Sequence, residues 1–165
     1  MKSVLLFLMF AFIGPLSAQQ FAYLGKINLE KNGDFKGNQA NVIKATDYLL
    51  STPMNLQSSD RIQCTRFLLK YAIGCPDYTL EIKPVVLRVS DKNSQLSALY
   101  VGLWLKSAFA NAQATAKEND LNAFTEIYKY ADNKSNYVIR TPYIEALLKA
   151  GHDNKVAEWL MTEAK

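Results

Sequence analysis

From Leu96 to Leu105 the chain carries no charged residue. On a helix, at about 100° per residue, Leu96, Leu99, Val101, Leu103, Leu105 and Phe109 point in nearly every direction. A helix that is apolar most of the way round must be covered on most sides. The pattern therefore predicts a central helix over 95–111, with the other helices laid around it.

The flanking pattern supplies those helices. Val42, Ala45, Tyr48 and Leu49 form one stripe over 41–51, and Thr52-Pro53 ends it, because the residue before proline is pushed out of helical geometry. Ser58, Ser59 and Asp60 offer caps for a second helix over 61–73. Gln63, Arg66 and Lys70 give that helix a narrow solvent stripe. Ile62, Cys64, Phe67, Leu68, Leu69, Tyr71 and Ile73 are expected to be covered. Gly74 sits where a left-handed helix end is wanted, and Pro76 prevents continuation. The segment 77–91 reads as an extended stretch followed by a short helix opened by Pro84. Asp91, Asn93 or Ser94 then caps the central helix.

Beyond Asn111 the run 113–120 is polar but permissive for helix. Leu121, Phe124, Ile127, Tyr128 and Ala131 share one face of a helix over 121–131. Thr141-Pro142 starts the next helix, Gly151 is expected to stop it, and Asp153 or Asn154 caps a last helix carrying Val156, Leu160 and Met161. The fold class is thus all-α: an irregular helical bundle or short α-solenoid of five to six helices around 95–111. The stretch 19–39, punctuated by Gly25, Gly33 and Gly37, reads as an irregular or mobile arm, with a small hairpin at Asn32-Gly33 as the alternative.

Residues 1–18 carry a targeting pattern. Lys2 precedes a nearly unbroken apolar run from Val4 to Ile13, Gly14-Pro15 breaks it, and Leu16-Ser17-Ala18 ends on a small residue. The run is shorter than the roughly 20 residues of a stable membrane span. A cleaved signal peptide over 1–18 is expected, leaving an exported chain from Gln19 with no stable membrane span, in the periplasm or the medium. Residues 40–165 then form a single helical domain.

Composition narrows the function. The chain has 165 residues, 49% hydrophobic and 21% charged, which suits one domain with a proper core. The net charge of +4 is spread along the chain, without the clustered Lys and Arg of a nucleic-acid footprint, so no nucleic-acid partner is expected.

Candidate chemistry is sparse. His152 is the only histidine, which rules out constellations needing two. Cys64 and Cys75 would lie about 15 Å apart along a helix, beyond the roughly 7 Å that a disulfide tolerates. Asp77, Glu81 and Asp91 flank the irregular segment and are the only candidates for paired-carboxylate hydrolysis. No phosphate-cradling glycine loop or nucleophile elbow occurs. No catalytic residue, metal ligand or cofactor site is assigned. The stretch Gly74, Pro76, Asp77 and Tyr78 is a candidate structural corner or interaction site. There, Asp77 would bond nearby backbone amides and Tyr78 would pack back on the helix end.

Residues 44–53, with Phe67-Leu68-Leu69-Lys70-Tyr71 and Gly74-Cys75-Pro76-Asp77-Tyr78, resemble a group of short, exported, uncharacterised helical proteins of Bacteroidetes bacteria. The likeness spans roughly 41–148 and is sharpest at Gly-x-Pro-Asp-Tyr. In that group Thr or Ser stands at the position of Cys75 and Trp at that of Tyr71, which implies that neither cysteine is a required nucleophile. The resemblance implies an exported helical protein and transfers no activity. The function expected is a non-enzymatic protein- or peptide-binding module of the cell envelope. A small envelope-polymer hydrolase using carboxylates near 77–91, or a purely structural envelope component, is the alternative.

Overall fold

The computed structural model describes residues 19–163; the signal-peptide reading of 1–18 lies outside them. Among the described residues the architecture is all-α, with eight α-helices, two short 3-10 helices and no strand. The helices are α1 (Asn32–Gly37), α2 (Gln39–Ser51), α3 (Ser59–Gly74), α4 (Pro84–Ser90), α5 (Gln95–Ala110), α6 (Ala116–Asp132), α7 (Pro142–His152) and α8 (Val156–Glu163). The count exceeds five to six because the 19–39 stretch adds the six-residue α1; the short helix expected at Pro84 is α4, of seven residues.

The central helix is where the pattern puts it. From Leu96 to Leu105 every residue of α5 except Ser97 is buried. α5 packs against α2, α3, α4 and α6, while α7 and α8 close the far side against α6 and α4. Gly102 is part of the reason α2 comes so close: a Cβ there would overlap Thr46 Oγ1 and lie 3.0 Å from Leu68 Cδ1. Thr46 is buried, and its hydroxyl is satisfied by donating to Val42 O at 2.8 Å.

The stretch 19–39 departs from the irregular or mobile arm expected of it. It forms a 3-10 helix, Ala22–Lys26, and α1, and it buries Phe21, Leu24 and Phe35 in the core. The Asp60 carboxylate accepts from the backbone N–H of Gln20 at 3.1 Å and of Phe21 at 2.9 Å. Tyr71 donates its hydroxyl to Phe35 O at 2.8 Å. Asn32-Gly33 opens a helix and not a hairpin, because Asp34, three residues after the Lys31 cap position, accepts from the backbone N–H groups of Glu30 and Lys31.

Two glycines play a different part from the one expected. Neither Gly74 nor Gly151 has a positive φ; each lies within the last turn of its helix. Both are places of close approach. A Cβ at Gly74 would stand 2.9 Å from Phe35 Cζ, and one at Gly151 would overlap the Tyr128 ring. The left-handed residue after α7 is Asn154, at φ 57°. α6 also begins five residues before 121, at Ala116. Thr115 and Glu118 form a reciprocal capping box that starts the helix inside the polar run.

A buried guanidinium ties the upper ends of four helices together. Arg61, in the first turn of α3, is 2% exposed. It donates to Leu49 O at 3.1 Å and Thr52 O at 2.8 Å, carbonyls at the C-terminal end of α2. It also donates to Gln95 Oε1 at the start of α5, and to Tyr130 Oη on α6 at 3.4 Å. Tyr130 donates in turn to Thr52 O at 2.7 Å. The negative end of the α2 dipole, with its orphan carbonyls, thus takes the place of an acidic partner. Arg61→Met should lower stability by about 3 kcal/mol, because it leaves several buried acceptors unpaired. Arg61→Lys should rescue little, since one ammonium cannot span the fork. Urea midpoints of the three proteins measure both effects.

Candidate functional site

The predicted corner lies at the C-terminal end of α3. Gly74 ends α3 against Phe35, and Pro76 is exposed. Asp77 stands 3.9 Å from Lys36 Nζ. The Tyr78 ring leaves the α3 end and packs on α5, with its edge to Phe109 at 5.5 Å and to Trp104 at 6.4 Å between centroids. Burial, with the Asp77 charge beside it, raises the Tyr78 phenol above its ordinary range.

The other sequence candidates stay apart. Asp77, Glu81 and Asp91 are each exposed. None lines the cavities described below. His152 is exposed, with Nε2 3.1 Å from Asp132 Oδ1 and its ring edge-on to Tyr128, so its oriented partner is Asp132 and not Asp153. Cys64 and Cys75 are both free and buried. Burial pushes the Cys64 thiol up to about 12, with the Asp60 charge adding to the shift. Among the described residues no cluster of His, Cys, Asp and Glu could hold a metal, and no helix is long and apolar enough to cross a membrane.

A carboxylate that the sequence reading passed over is the best-built polar centre. Asp120 is 2% exposed. Its Oδ1 accepts from Tyr100 Oη at 2.7 Å and from Trp104 Nε1 at 3.1 Å, and its Oδ2 is paired with Lys83 Nζ. Burial first, and then the hydrogen bond to Asp120 and its charge, hold the Tyr100 phenol far above its ordinary range, so it remains a donor. A cavity of about 350 Å³ opens beside Lys83, Asp120, Leu121, Leu160 and Met161, with Glu118 also on its wall. Two carboxylates do face it. Glu118, however, is held by the Thr115 backbone and hydroxyl, and both Asp120 oxygens are occupied by protein donors. The arrangement clamps α5, α6 and the 77–83 segment. A sequence signal existed: Asp120 lies four residues before Phe124, on the buried stripe of α6, once that helix is started at Thr115.

The outer face of α3 is the exposed feature of most consequence. α2, α5 and the 3-10 helix cover Arg61, Cys64, Phe67, Leu68 and Tyr71. Ile62, Leu69 and Ile73, which the pattern placed under cover, are 47%, 36% and 87% exposed. Neighbours reach only one side of this helix, so its opposite side stays bare. Arg66 stands in the same line, exposed and with no acidic partner among the described residues. At the N-terminal end of the line, Leu56, Ile62, Arg66 and Gln95 border a cavity of about 250 Å³ above the buried Arg61. Leu87, Tyr137, Ile139 and Met161 are also exposed, but among the described residues no other helix carries three exposed large apolar residues in line.

No protein-family model, no curated protein and no solved structure matches this chain.

Asp120→Ala should lower stability by about 3 kcal/mol, because it strands the half-buried Lys83 ammonium and two buried donors; a denaturant titration reads it. The Cys64 thiol should resist maleimide labelling in the native protein at pH 8 and label at once in urea. Rapid native labelling at Cys64, located by peptide mass, would contradict its burial.

Proposed function

We propose that the protein is an exported binding module of the cell envelope that docks another protein or a peptide on the outer face of α3. The observation that carries this reading is the line of Ile62, Leu69 and Ile73, left bare on a helix whose other side is fully engaged. Burying an Ile or Leu side chain is worth roughly 1.5–3 kcal/mol, so three in line, with Leu56 beside them, supply enough apolar surface for a specific contact. The rim of Gln57, Thr65 and Gln95 adds the polar border that docking surfaces carry. Export rests on the leader pattern of residues 1–18. The resemblance to short exported helical proteins of Bacteroidetes points the same way.

Two measurements test this. Protein recovered from the producing cell should have Gln19 at its N-terminus by intact mass; a chain beginning at Met1 would remove the export argument. Capture of a saturable partner from envelope and culture fractions should be lost in Leu69→Asp/Ile73→Asp and kept in Tyr137→Asp. The double variant should melt within a few degrees of wild type, because both positions are exposed. Equal capture by wild type and the double variant would overturn the assignment of this face.

A further inference from the structure

We infer that the segment received by the α3 face is itself an α-helix, with apolar residues at alternating three- and four-residue spacing and an acidic side chain opposite Arg66. This deepens the docking reading and rests on it. The exposed line runs Ile62, Arg66, Leu69, Ile73, a spacing of four, three and four. That is the seam spacing of a two-helix coiled coil. It covers about 16 Å of helix axis at 1.5 Å per residue.

The chemistry of the surface selects the occupant. A helix side offers no free backbone N–H or C=O, so it cannot complete the ladder of an extended strand. An extended peptide laid on Ile62, Leu69 and Ile73 would bring its own backbone groups against apolar surface unpaired. A helix satisfies its backbone internally and presents side chains in rows that fit the 3-4 grooves. The adjacent cavity, at about 250 Å³, falls below the usual range for a small organic ligand.

Charge decides between a foreign helix and a second copy of this chain. Arg66 sits within the seam, Lys70 stands exposed one turn on, and no carboxylate lies in the line. A parallel copy would set Arg66 against Arg66. An antiparallel copy would set each Arg66 against Leu69, covering a guanidinium with no acceptor. A Glu or Asp at the facing position gives Arg66 the partner that the rest of the fold lacks, and a polar seam residue of this kind fixes register.

The probes are three fluorescein-labelled 18-residue helical peptides, identical except for Glu, Gln or Lys at the seam position facing Arg66. A fourth carries the Glu sequence with a central Pro. Fluorescence anisotropy against the full chain, at low and at high salt, is the readout. The Glu peptide should bind roughly fivefold or more tightly than the Lys peptide, with Gln between them. The gap should shrink with salt. Arg66→Glu should reverse the order, and the Pro peptide and the Ile73→Asp protein should show no binding. Equal affinities for Glu and Lys peptides, an unreversed order with Arg66→Glu, full binding of the Pro peptide, or no binding of any peptide up to about 1 mM would each overturn the inference. The docking reading fails separately, on the capture experiment with Leu69→Asp/Ile73→Asp. If that variant loses its partner while the peptides are not discriminated, the face stands and the acidic helix falls.

Discussion

The structure depends on the need to cover one helix on nearly every side. α5 has no polar face to leave in water, so α2, α3, α4 and α6 must all reach it. Apolar contact alone is poorly directional, and the two buried ionic centres supply the missing register. Arg61 binds carbonyls at the end of α2 and side chains on α5 and α6; Asp120 gathers donors from α5 and from Lys83. The centres carry opposite charge and lie at opposite ends of α6, one near its first turn and one near its last. Losing one partner from either leaves buried groups unpaired, so substitution at either position should be costly.

The same geometry leaves α3 half covered. Its inner side meets α2, α5 and the 3-10 helix, while Ile62, Leu69 and Ile73 on the outer side stay exposed, Ile73 most of all. An apolar line that the fold itself leaves bare, with an unpaired arginine in it, is the feature from which the binding role is argued. The polar centre at Asp120 is better built and more deeply buried, but both of its carboxylate oxygens are bonded to donors of the chain itself. It is a fastening.

The parts legible in the sequence were those with a period. The all-round apolar run of 95–111 and the stripes of α2 and α7 stand out because their spacing repeats. Pro84 and Thr141-Pro142 marked helix starts through proline's fixed φ and the threonine cap. What escaped has no period. Phe21, Leu24 and Phe35 anchor the N-terminal stretch singly, and the Asp60 and Asp34 carboxylates that order it look like ordinary surface acids. The start of α6 lay in a polar run where only Thr115 and Glu118 signalled it, and missing it hid Asp120. The α3 face misled in the other direction. Hydrophobicity at Ile62, Leu69 and Ile73 does not entail burial, because much of any protein surface is apolar. At Gly74 and Gly151 the signal was genuine but its cause was different: room for Phe35 and Tyr128 in place of a left-handed turn.

The most direct measurement of the α3 assignment is site-specific photo-crosslinking in the cell that makes the protein. A benzophenone amino acid is placed at Leu69, at Ile73 and, as references, at Leu87 and Lys149 on α4 and α7. The account predicts one discrete higher-mass adduct from Leu69 and Ile73, containing a second protein, and none from the two reference positions. Adducts of equal yield from all four positions, or from Leu87 and Lys149 alone, would contradict it.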